Sequence, residues 1–171
     1  MNNDIRKAKH DDVPPLIDDN SKILLLGSML SPRSAEQKFY YAHPQNRFWR
    51  VLCALLGCEY TENNAQRARI ALSLGIALWD VAASCDIVGA ADSTIKNVVY
   101  NDLNGLLCKY PNIRQVYTTG GKAYSMLKAY NKTARNALLS ETVALPSTSP
   151  LNCKTTLDEL ISAYSVITKA L

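Results

Sequence analysis

The chain has 171 residues, of which 47% are hydrophobic and 20% are charged, and its formal net charge is +4 at pH 7. This length suits one domain with a sizeable core, and the apolar fraction excludes a disordered or collagen-like chain. No apolar run approaches the ~20 residues that span a bilayer, and the N-terminal stretch MNNDIRKAKHDDVPP lacks the apolar core of a signal peptide. The sequence therefore predicts a soluble, cytoplasmic protein.

The five cysteines are scattered along the chain and contain no CxxC pair. Metal sites need clustered thiolates, and secreted disulfide scaffolds need an even set, so the pattern predicts small buried cysteines that stay reduced. The small positive charge permits a polyanionic partner without requiring one.

Residues 1–20 are polar and are interrupted by Pro14 and Pro15, which predicts a loosely attached lead-in before a domain over 21–171. The run KILLLGS, from Lys22 to Ser28, is apolar without alternation. Such a run is typical of a strand that is covered on both faces.

The rest of the chain alternates helices with strands. Helices are predicted where apolar residues share one face and a capping or breaking residue stands at an end, such as the capping box of Thr156 and Glu159 or the proposed cap at Asn101. The predicted helices cover 47–56, 64–74, 101–110, 120–130 and 156–167, and the further predicted strands cover 76–83, 113–119 and 141–145. This order predicts a parallel sheet with helices on both faces.

Ligands of such sheets bind at the carboxyl ends of the strands. Three polar loops follow the predicted strands there, with the sequences GSMLS, TTGG and LPSTSP. We therefore expect these loops to share one crevice.

Asn46 lies at the mouth of a predicted helix, where free backbone N–H groups favour anions. From the residue type alone, a helix cap is the favoured interpretation, since asparagine is among the best caps. His43, before a proline, is expected to serve a turn, and Phe48 and Trp49 are expected in the core.

The LPSTSP loop brackets three hydroxyls between two prolines, which fits a phosphate contact, a turn or a helix lead-in, with the turn as the default. The segment TTGGKAY, from Thr118 to Tyr124, lacks the spacing of a phosphate-binding loop and excludes a nucleotide hydrolase of that type. A strand-to-helix turn is the expected structure.

In combination, these segments resemble the uracil-DNA glycosylase superfamily, and most closely its hypoxanthine-DNA glycosylase branch. The segments FYYAHPQNRFW, GIALWDVAASC, NDL and LPSTSP carry the resemblance, which extends from about Lys22 to the last helix. It implies a three-layer α/β/α sandwich with a short, mostly parallel four-stranded sheet. It also implies a monofunctional enzyme, without metal or cofactor, that flips a deaminated base out of DNA and hydrolyses its N-glycosidic bond.

The resemblance further implies the substrates: double- or single-stranded DNA containing hypoxanthine first and uracil second. The protein is expected to act as a monomer and to have no membrane partner. Two alternatives stay open, a non-catalytic module that binds damaged DNA and a hydrolase of free nucleosides.

Site residues follow from the same resemblance. Met29 stands where other branches carry Asp or Asn, so catalysis is assigned to Asn46, which would hold the attacking water beside C1′. Base-binding roles fall to the pocket residues Gly27, Ser28, Met29, Tyr41 and Thr119. DNA-binding roles fall to the last loop, with Ser147 as phosphate donor and Leu151 as plug, together with Thr148 and Ser149.

Three positions depart from the family's pattern: Met29, the pair Leu30-Ser31 in place of proline-glycine, and Thr119 in place of an asparagine that reads the base edge. These departures put strict uracil selection in doubt and raise reduced activity as a possibility. Lys122 is expected to be a surface residue at a helix start rather than a Schiff-base lysine.

Overall fold

The structure is a computed structural model that describes residues 5–10 and 12–171. The strands are β1 Ile5–Lys9, β2 Ile23–Gly27, β3 Ile76–Asp80, β4 Ala82–Val88, β5 Lys96–Tyr100, β6 Gln115–Thr119 and β7 Val143–Leu145. The helices are α1 Pro32–Gln37, α2 Phe48–Leu56, α3 Asn64–Ser73, α4 Leu103–Lys109, α5 Gly121–Ala134, α6 Ala137–Ser140 and α7 Leu157–Tyr164. Short 3-10 helices cover Asp92–Thr94 and Ser165–Lys169.

The central sheet has four parallel strands in the order β3-β2-β6-β7, which confirms the predicted parallel sheet. Along β2, Ile23 and Leu25 enter one apolar core while Leu24 and Leu26 enter the other. All four side chains are fully buried. The unalternated run KILLLGS is thus a strand with two covered faces, because each face of the pleat meets its own core.

Helices cover both faces of this sheet, which confirms the three-layer α/β/α arrangement. On one face, α2 contributes Phe48 and Trp49 and α7 contributes Leu160 to the core. On the other face, α4 contributes Leu103 and α5 contributes Leu127. Phe48 and Trp49 are core residues, as predicted.

A second sheet, antiparallel and in the order β1-β4-β5, packs on the same side as α4 and α5, and the sequence did not predict it. Its strand β1 pairs with β4 from Ile5↔Val88 to Lys9↔Ser84. Farther along, Leu16 exchanges two backbone hydrogen bonds with Leu78 of β3. The expectation of a loosely attached lead-in is therefore wrong for residues 5–10 and 12–20, while residues 1–4 and 11 lie outside the described part of the chain.

The predicted strand over 76–83 is in fact two strands of different sheets, because the chain leaves the parallel sheet at Val81. The Asn101 amide Nδ2 fixes this junction by donating to the carbonyls of Asp80 at 2.9 Å and Ala82 at 3.1 Å. Asn101 is therefore not the cap of α4. Asp102 is the cap, and its Oδ1 accepts the N–H of Gly105 at 2.9 Å.

Two short helices, α1 and α6, were also missed. Ser31 begins α1 by accepting the N–H of Ser34, with Pro32 at the first helical position, where a missing N–H costs nothing. The predicted capping box of Thr156 and Glu159 is confirmed at α7. That helix ends at Tyr164 and continues as a 3-10 helix, so the prediction over 156–167 joined two elements.

The cysteine prediction holds only in part. Cys53 and Cys85 are buried and the five thiols are free, but Cys108 and Cys153 are exposed. In the described part of the chain the longest helix, α5, has 14 residues, and none of the helices combines the length and apolar character needed to cross a membrane.

Candidate active site

A pocket of about 430 Å³ opens at the carboxyl ends of β2, β3 and β6. The three predicted loops meet there, so the expectation of one shared crevice is confirmed. All the predicted site residues line this pocket: Gly27, Ser28, Met29, Tyr41, Asn46, Thr119, Ser147, Thr148, Ser149 and Leu151. A pocket of this size is in the range that holds small organic ligands.

The floor of the pocket is built where β2 and β3 end side by side. Gly27 is paired in register with Asp80, and a Cβ added at Gly27 would lie 2.2 Å from Oδ1 of Asp80. The carboxylate therefore lies directly against the backbone of β2. Only glycine allows this approach, since the contact is far shorter than any real Cβ contact.

Asp80 is held by His10, which comes from the N-terminal segment. His10 Nε2 lies 2.8 Å from Asp80 Oδ2, and His10 Nδ1 lies 2.8 Å from the carbonyl oxygen of Val13. Because a carbonyl oxygen can only accept, Nδ1 carries a proton, and the contact to Asp80 then requires a second proton between the two residues. Both side chains are buried, with 8% of His10 and 4% of Asp80 exposed.

The protonation of His10 follows from two opposing effects. Burial by itself lowers the pKa of His10, but the hydrogen bond and the charge of Asp80 outweigh it and raise the net pKa above the ordinary value of 6.5. The pair is thus an imidazolium beside a carboxylate. The second carboxylate oxygen of Asp80, Oδ1, lies beside Gly27, and both residues line the pocket.

Asn46 both caps a helix and lines the pocket. Its Oδ1 accepts the N–H of Phe48 at 3.0 Å, at the start of α2, and the residue is half-buried rather than sealed from solvent. The N-cap position of α2 is held by Arg47, one residue later than the cap interpretation places it, but the Asn46 side chain does satisfy the first N–H of the helix, and this is compatible with a role in the pocket. The hydrogen bond also fixes which end of the amide is oxygen, and Nδ2 donates to no atom of the described residues.

The turn before Asn46 is the one predicted for His43. The His43 Nδ1 accepts the N–H of Gln45 at 3.1 Å, and its carbonyl accepts the N–H of Asn46 at 2.8 Å. The turn therefore places the Asn46 side chain at the start of α2, and the backbone N–H of Asn46 already has a hydrogen-bond partner within the turn.

Arg47 joins this helix start to the last loop of the site. Its backbone N–H donates to the carbonyl of Thr148 at 3.1 Å, and its guanidinium donates to the carbonyls of Ser149 at 3.1 Å, Asn152 at 2.8 Å and Thr155. Guanidinium has five N–H donors in a rigid plane, so one side chain can hold several carbonyls. The loop position relative to Asn46 is thereby fixed.

Tyr41 forms the wall next to Asn46. It has a left-handed backbone with φ +52°, its ring stacks on Phe48 with centroids 3.8 Å apart, and its hydroxyl lies 2.8 Å from Oγ1 of Thr119. Burial raises the pKa of Tyr41, so the phenol stays neutral. Tyr40 also lines the pocket, and its hydroxyl donates to the carbonyl of Pro14 at 2.8 Å.

A second acidic group faces the pocket from the unpredicted sheet. Asp92 lies in the β4–β5 connection, and its Oδ1 accepts the Ser28 hydroxyl at 2.9 Å. Burial raises the pKa of Asp92, and the charge of Asp80 adds to this, while the Ser28 hydrogen bond and Lys122 oppose it. Lys122 lies at the start of α5, as predicted, but it is half-buried and lines the pocket.

The last loop combines local turns with exposed groups. The Ser147 and Ser149 hydroxyls accept the N–H groups of Ser149 and Leu151, both at 3.2 Å, which confirms the default turn interpretation. Each hydroxyl hydrogen is left over to donate outward. Leu151 is 66% exposed at the rim, whereas Thr148 is only 1% exposed, which corrects its prediction as a DNA contact and makes it part of the pocket wall.

Asp80 and Asp92 line the pocket and were not predicted as site residues, and neither was His10, which binds Asp80. Asp80 had a usable signal, since it stands in the segment GIALWDVAASC that carries the family resemblance, although it fell inside the predicted strand over 76–83. His10 and Asp92 had none, because each belongs to the second sheet. Within residues 5–10 and 12–171, no group of three or more His, Cys, Asp or Glu side chains is placed to hold a metal ion.

Comparison with known proteins gives consistent matches. A family sequence model described as "Uracil DNA glycosylase superfamily" matches residues 14–166. A hypoxanthine DNA glycosylase of Methanosarcina barkeri is 37% identical over 111 residues, which are 64% of this chain and 70% of that protein. A hypoxanthine DNA glycosylase of Methanosarcina acetivorans is 33% identical over 140 residues, which are 81% of this chain and 85% of that protein.

The fold has a counterpart among solved structures. A solution NMR structure from Methanosarcina acetivorans, described provisionally as a uracil DNA glycosylase, superposes with a TM-score of 0.76 at 26% identity. The match covers 95% of this chain and 99% of that chain. The α/β/α architecture and its end-of-strand pocket therefore agree with the family match.

Proposed function

The chain belongs to the uracil DNA glycosylase superfamily, and we propose that it is a monofunctional DNA glycosylase that acts on deaminated bases, hypoxanthine first and uracil second. The observation that carries the proposal is the convergence of Asn46, Tyr41 and the Gly27–Ser28 loop on one pocket. The base must leave the duplex to enter this pocket, because its glycosidic bond is hidden in the stack.

In the proposed reaction, Asn46 holds the attacking water. Its Oδ1 has a second lone pair beyond the one used by Phe48, and its Nδ2 hydrogens are available to the same water or to the sugar. The water oxygen bonds to C1′ as the C1′–N bond breaks, and the departing base keeps that electron pair. One water proton ends on the base, and an abasic site remains.

An amide is a poor base, so position and electrostatics have to supply most of the rate. The cap to Phe48 holds the amide in one orientation before substrate arrives. In the described part of the chain, the backbone N–H groups of Ser28 and Met29 have no hydrogen-bond partner, while the Gly27 and Ser28 carbonyls bind Val81 and Ala82. These two donors are suited to stabilise negative charge on the departing base.

The last loop is proposed to engage the duplex. Leu151 is an exposed apolar side chain at the pocket rim and is suited to fill the space that the extruded base leaves. The Ser147 and Ser149 hydroxyls are suited to donate to phosphates on either side. Arg47 keeps this loop in place, so wedge and amide act on the same nucleotide.

The test is release of free hypoxanthine from a duplex oligonucleotide with one deoxyinosine, measured under single turnover with excess enzyme. Asn46→Ala should lower the rate by about a hundredfold or more, in line with the loss of the group that positions the attacking water. It should also cost about 1 kcal/mol of stability, because it removes a helix cap.

Asn63→Ala is the matched control. Asn63 caps α3 by accepting the N–H of Gln66 at 3.0 Å, and it lies outside the pocket. It should therefore show a similar loss of stability and wild-type excision. Equal excision rates for Asn46→Ala and wild type would refute the role of the amide.

Three other outcomes would overturn the proposal. Met29 stands where other branches carry Asp or Asn, and it cannot position water, which is the reason to test for a protein that binds without catalysis. If the wild-type protein binds a lesion duplex but releases no base, the damage-binding module is established instead. Turnover of free deoxyinosine but not of DNA would establish a nucleoside hydrolase. Borohydride trapping of a covalent adduct through Lys122 would exclude the monofunctional mechanism.

A further inference from the structure

Two charged groups in the pocket have no part in the mechanism above. Asp92 uses Oδ1 to accept the Ser28 hydroxyl, whereas Oδ2 has no partner in the described part of the chain and is not sealed from solvent. Both residues line the pocket beside the Gly27–Ser28 loop. The free carboxylate oxygen is therefore an acceptor that is open to a ligand.

Lys122 supplies a donor in the same pocket. It lies in the first turn of α5, and its ammonium uses one N–H to donate to the carbonyl of Ile95 at 3.3 Å. Its charge acts on the Asp92 carboxyl, yet among the described residues the two side chains form no ion pair with each other. Donor and acceptor are thus held apart by their own partners, Ile95 and Ser28.

Thr119, the residue expected to read the base, is poorly placed for that task. Its hydroxyl is already bonded to Tyr41 at 2.8 Å, and only 7% of the residue is exposed. A hydroxyl also cannot make the paired donor and acceptor contact of an amide. Another pair of groups has to recognise the base edge.

We propose that Asp92 and Lys122 read the base edge that deamination changes: Asp92 accepts the ring N–H, and Lys122 donates to the adjacent carbonyl oxygen. This assignment rests on the proposed glycosylase function and deepens it. Hypoxanthine presents N1–H and O6 side by side, and uracil presents N3–H beside a carbonyl in the same way. The ligand class is a six-membered lactam ring.

The same two groups repel the parent bases. Adenine carries a bare N1 and an amino group at these positions, so a lone pair would face the carboxylate and N–H groups would face the ammonium. Cytosine repeats that pattern. A buried polar group left unpaired by the wrong ligand gives strong rejection. Guanine shares the lactam edge, and its protection comes from the cost of extruding it from a stable pair.

The test compares duplexes that contain deoxyinosine or 1-methyl-2′-deoxyinosine, which keeps O6 but lacks the N1–H. Wild type should excise hypoxanthine at least about tenfold faster than 1-methylhypoxanthine, since the carboxylate loses its donor and meets a methyl group. Asp92→Ala should slow hypoxanthine excision by about tenfold or more and bring the ratio between the two substrates close to one.

Lys122→Met tests the other half of the pair. It should slow hypoxanthine excision by a similar factor but keep the preference for hypoxanthine over its 1-methyl form, because Asp92 is intact. Asp86→Ala is the matched control, since Asp86 lies on β4, pairs with Asn97 and does not line the pocket. Circular dichroism and thermal melting establish that each variant is folded.

The outcomes separate this inference from the function on which it rests. If wild type releases hypoxanthine but neither variant changes as described, or if Asp92→Ala slows both substrates equally, the edge-reading role is wrong and the glycosylase stands. If wild type releases neither base, the proposed function fails and the inference fails with it. If Asp92→Ala does not fold, the wild-type preference for hypoxanthine over its 1-methyl form and the rate of Lys122→Met decide together.

Discussion

Exchanging Asp80 for asparagine should reverse the sign of the pH dependence of stability between about pH 5 and 9. In the wild type the pKa of His10 is raised above its unfolded value of 6.5. The stability that His10 contributes is then fully present below pH 6.5 and is lost as the pH rises through the folded pKa. For one proton, the free energy of unfolding falls by at most about 1.4 kcal/mol per pH unit in that window.

Asp80→Asn leaves the shape of the pair but removes its charge. Burial alone lowers the pKa of His10, so without the carboxylate the folded protein should prefer the neutral ring. That ring keeps Nδ1–H on Val13, and its bare Nε2 can accept from the new amide. The stability contribution is then present above pH 6.5 and is lost as the pH falls, because His10 must charge without a partner.

The loss should be largest at the acid end. Below pH 6.5, Asp80→Asn removes one partner of a buried ion pair and should lower the free energy of unfolding by about 3–5 kcal/mol. At pH 9 a neutral hydrogen bond remains, and the free energy of unfolding should fall by only about 1 kcal/mol. Urea unfolding at several pH values, followed by tryptophan fluorescence, measures this difference.

The chain contains two histidines, so His43→Gln is a matched control that should keep the wild-type slope. His10→Gln should flatten the slope above pH 6.5. If Asp80→Asn keeps the wild-type sign, or if the slope disappears in His43→Gln, the assignment of an imidazolium–carboxylate pair is refuted.

Two further changes test the pocket floor and the rim. Gly27→Ala should lower the free energy of unfolding by about 1–3 kcal/mol and slow excision, because the new Cβ meets the Asp80 carboxylate that His10 holds in place. Gly121→Ala is the control, since its Cβ meets nothing within 4 Å, and it should melt like wild type. Thermal melting of both variants decides, and equal melting temperatures would contradict the close approach. Leu151→Ala should slow excision from duplex DNA far more than from single-stranded DNA, because only the duplex has to be unstacked. Val99→Ala, also exposed but outside the pocket, is its control, and an equal effect on both DNA forms would remove the wedge role.

The parallel sheet could be predicted because each of its strands is strongly apolar or ends in a recognisable turn. β2 is buried on both faces, so its consecutive residues are all apolar and the strand appears in the sequence as an unbroken apolar run. The second sheet could not be predicted for the opposite reason. In β1 only Ala8 is buried, and IRKAK has neither an apolar run nor an apolar alternation for a strand search to find.

The candidate site divides in the same way. Asn46 and Tyr41 stand in a segment whose residues carry the family resemblance, so their presence in the pocket could be predicted. The dual position of Asn46 could not, since a sequence does not show that a capping amide is also exposed to a ligand. Thr148 was misplaced because burial within a polar loop depends on what packs over it, and here Arg47 binds the loop carbonyls.

The charges of the pocket come from elements that lie on different sheets. Asp80 ends a strand of the parallel sheet, Asp92 lies in the connection between β4 and β5, and His10, which follows β1, contacts Asp80. Met29 leaves the first loop without an acid, but the pocket is not apolar, because Asp80 and Asp92 both line it. His10 neutralises Asp80 by a direct contact at 2.8 Å, whereas Asp92 keeps one oxygen open. The carboxylate that meets the base should therefore be the one that is not already paired.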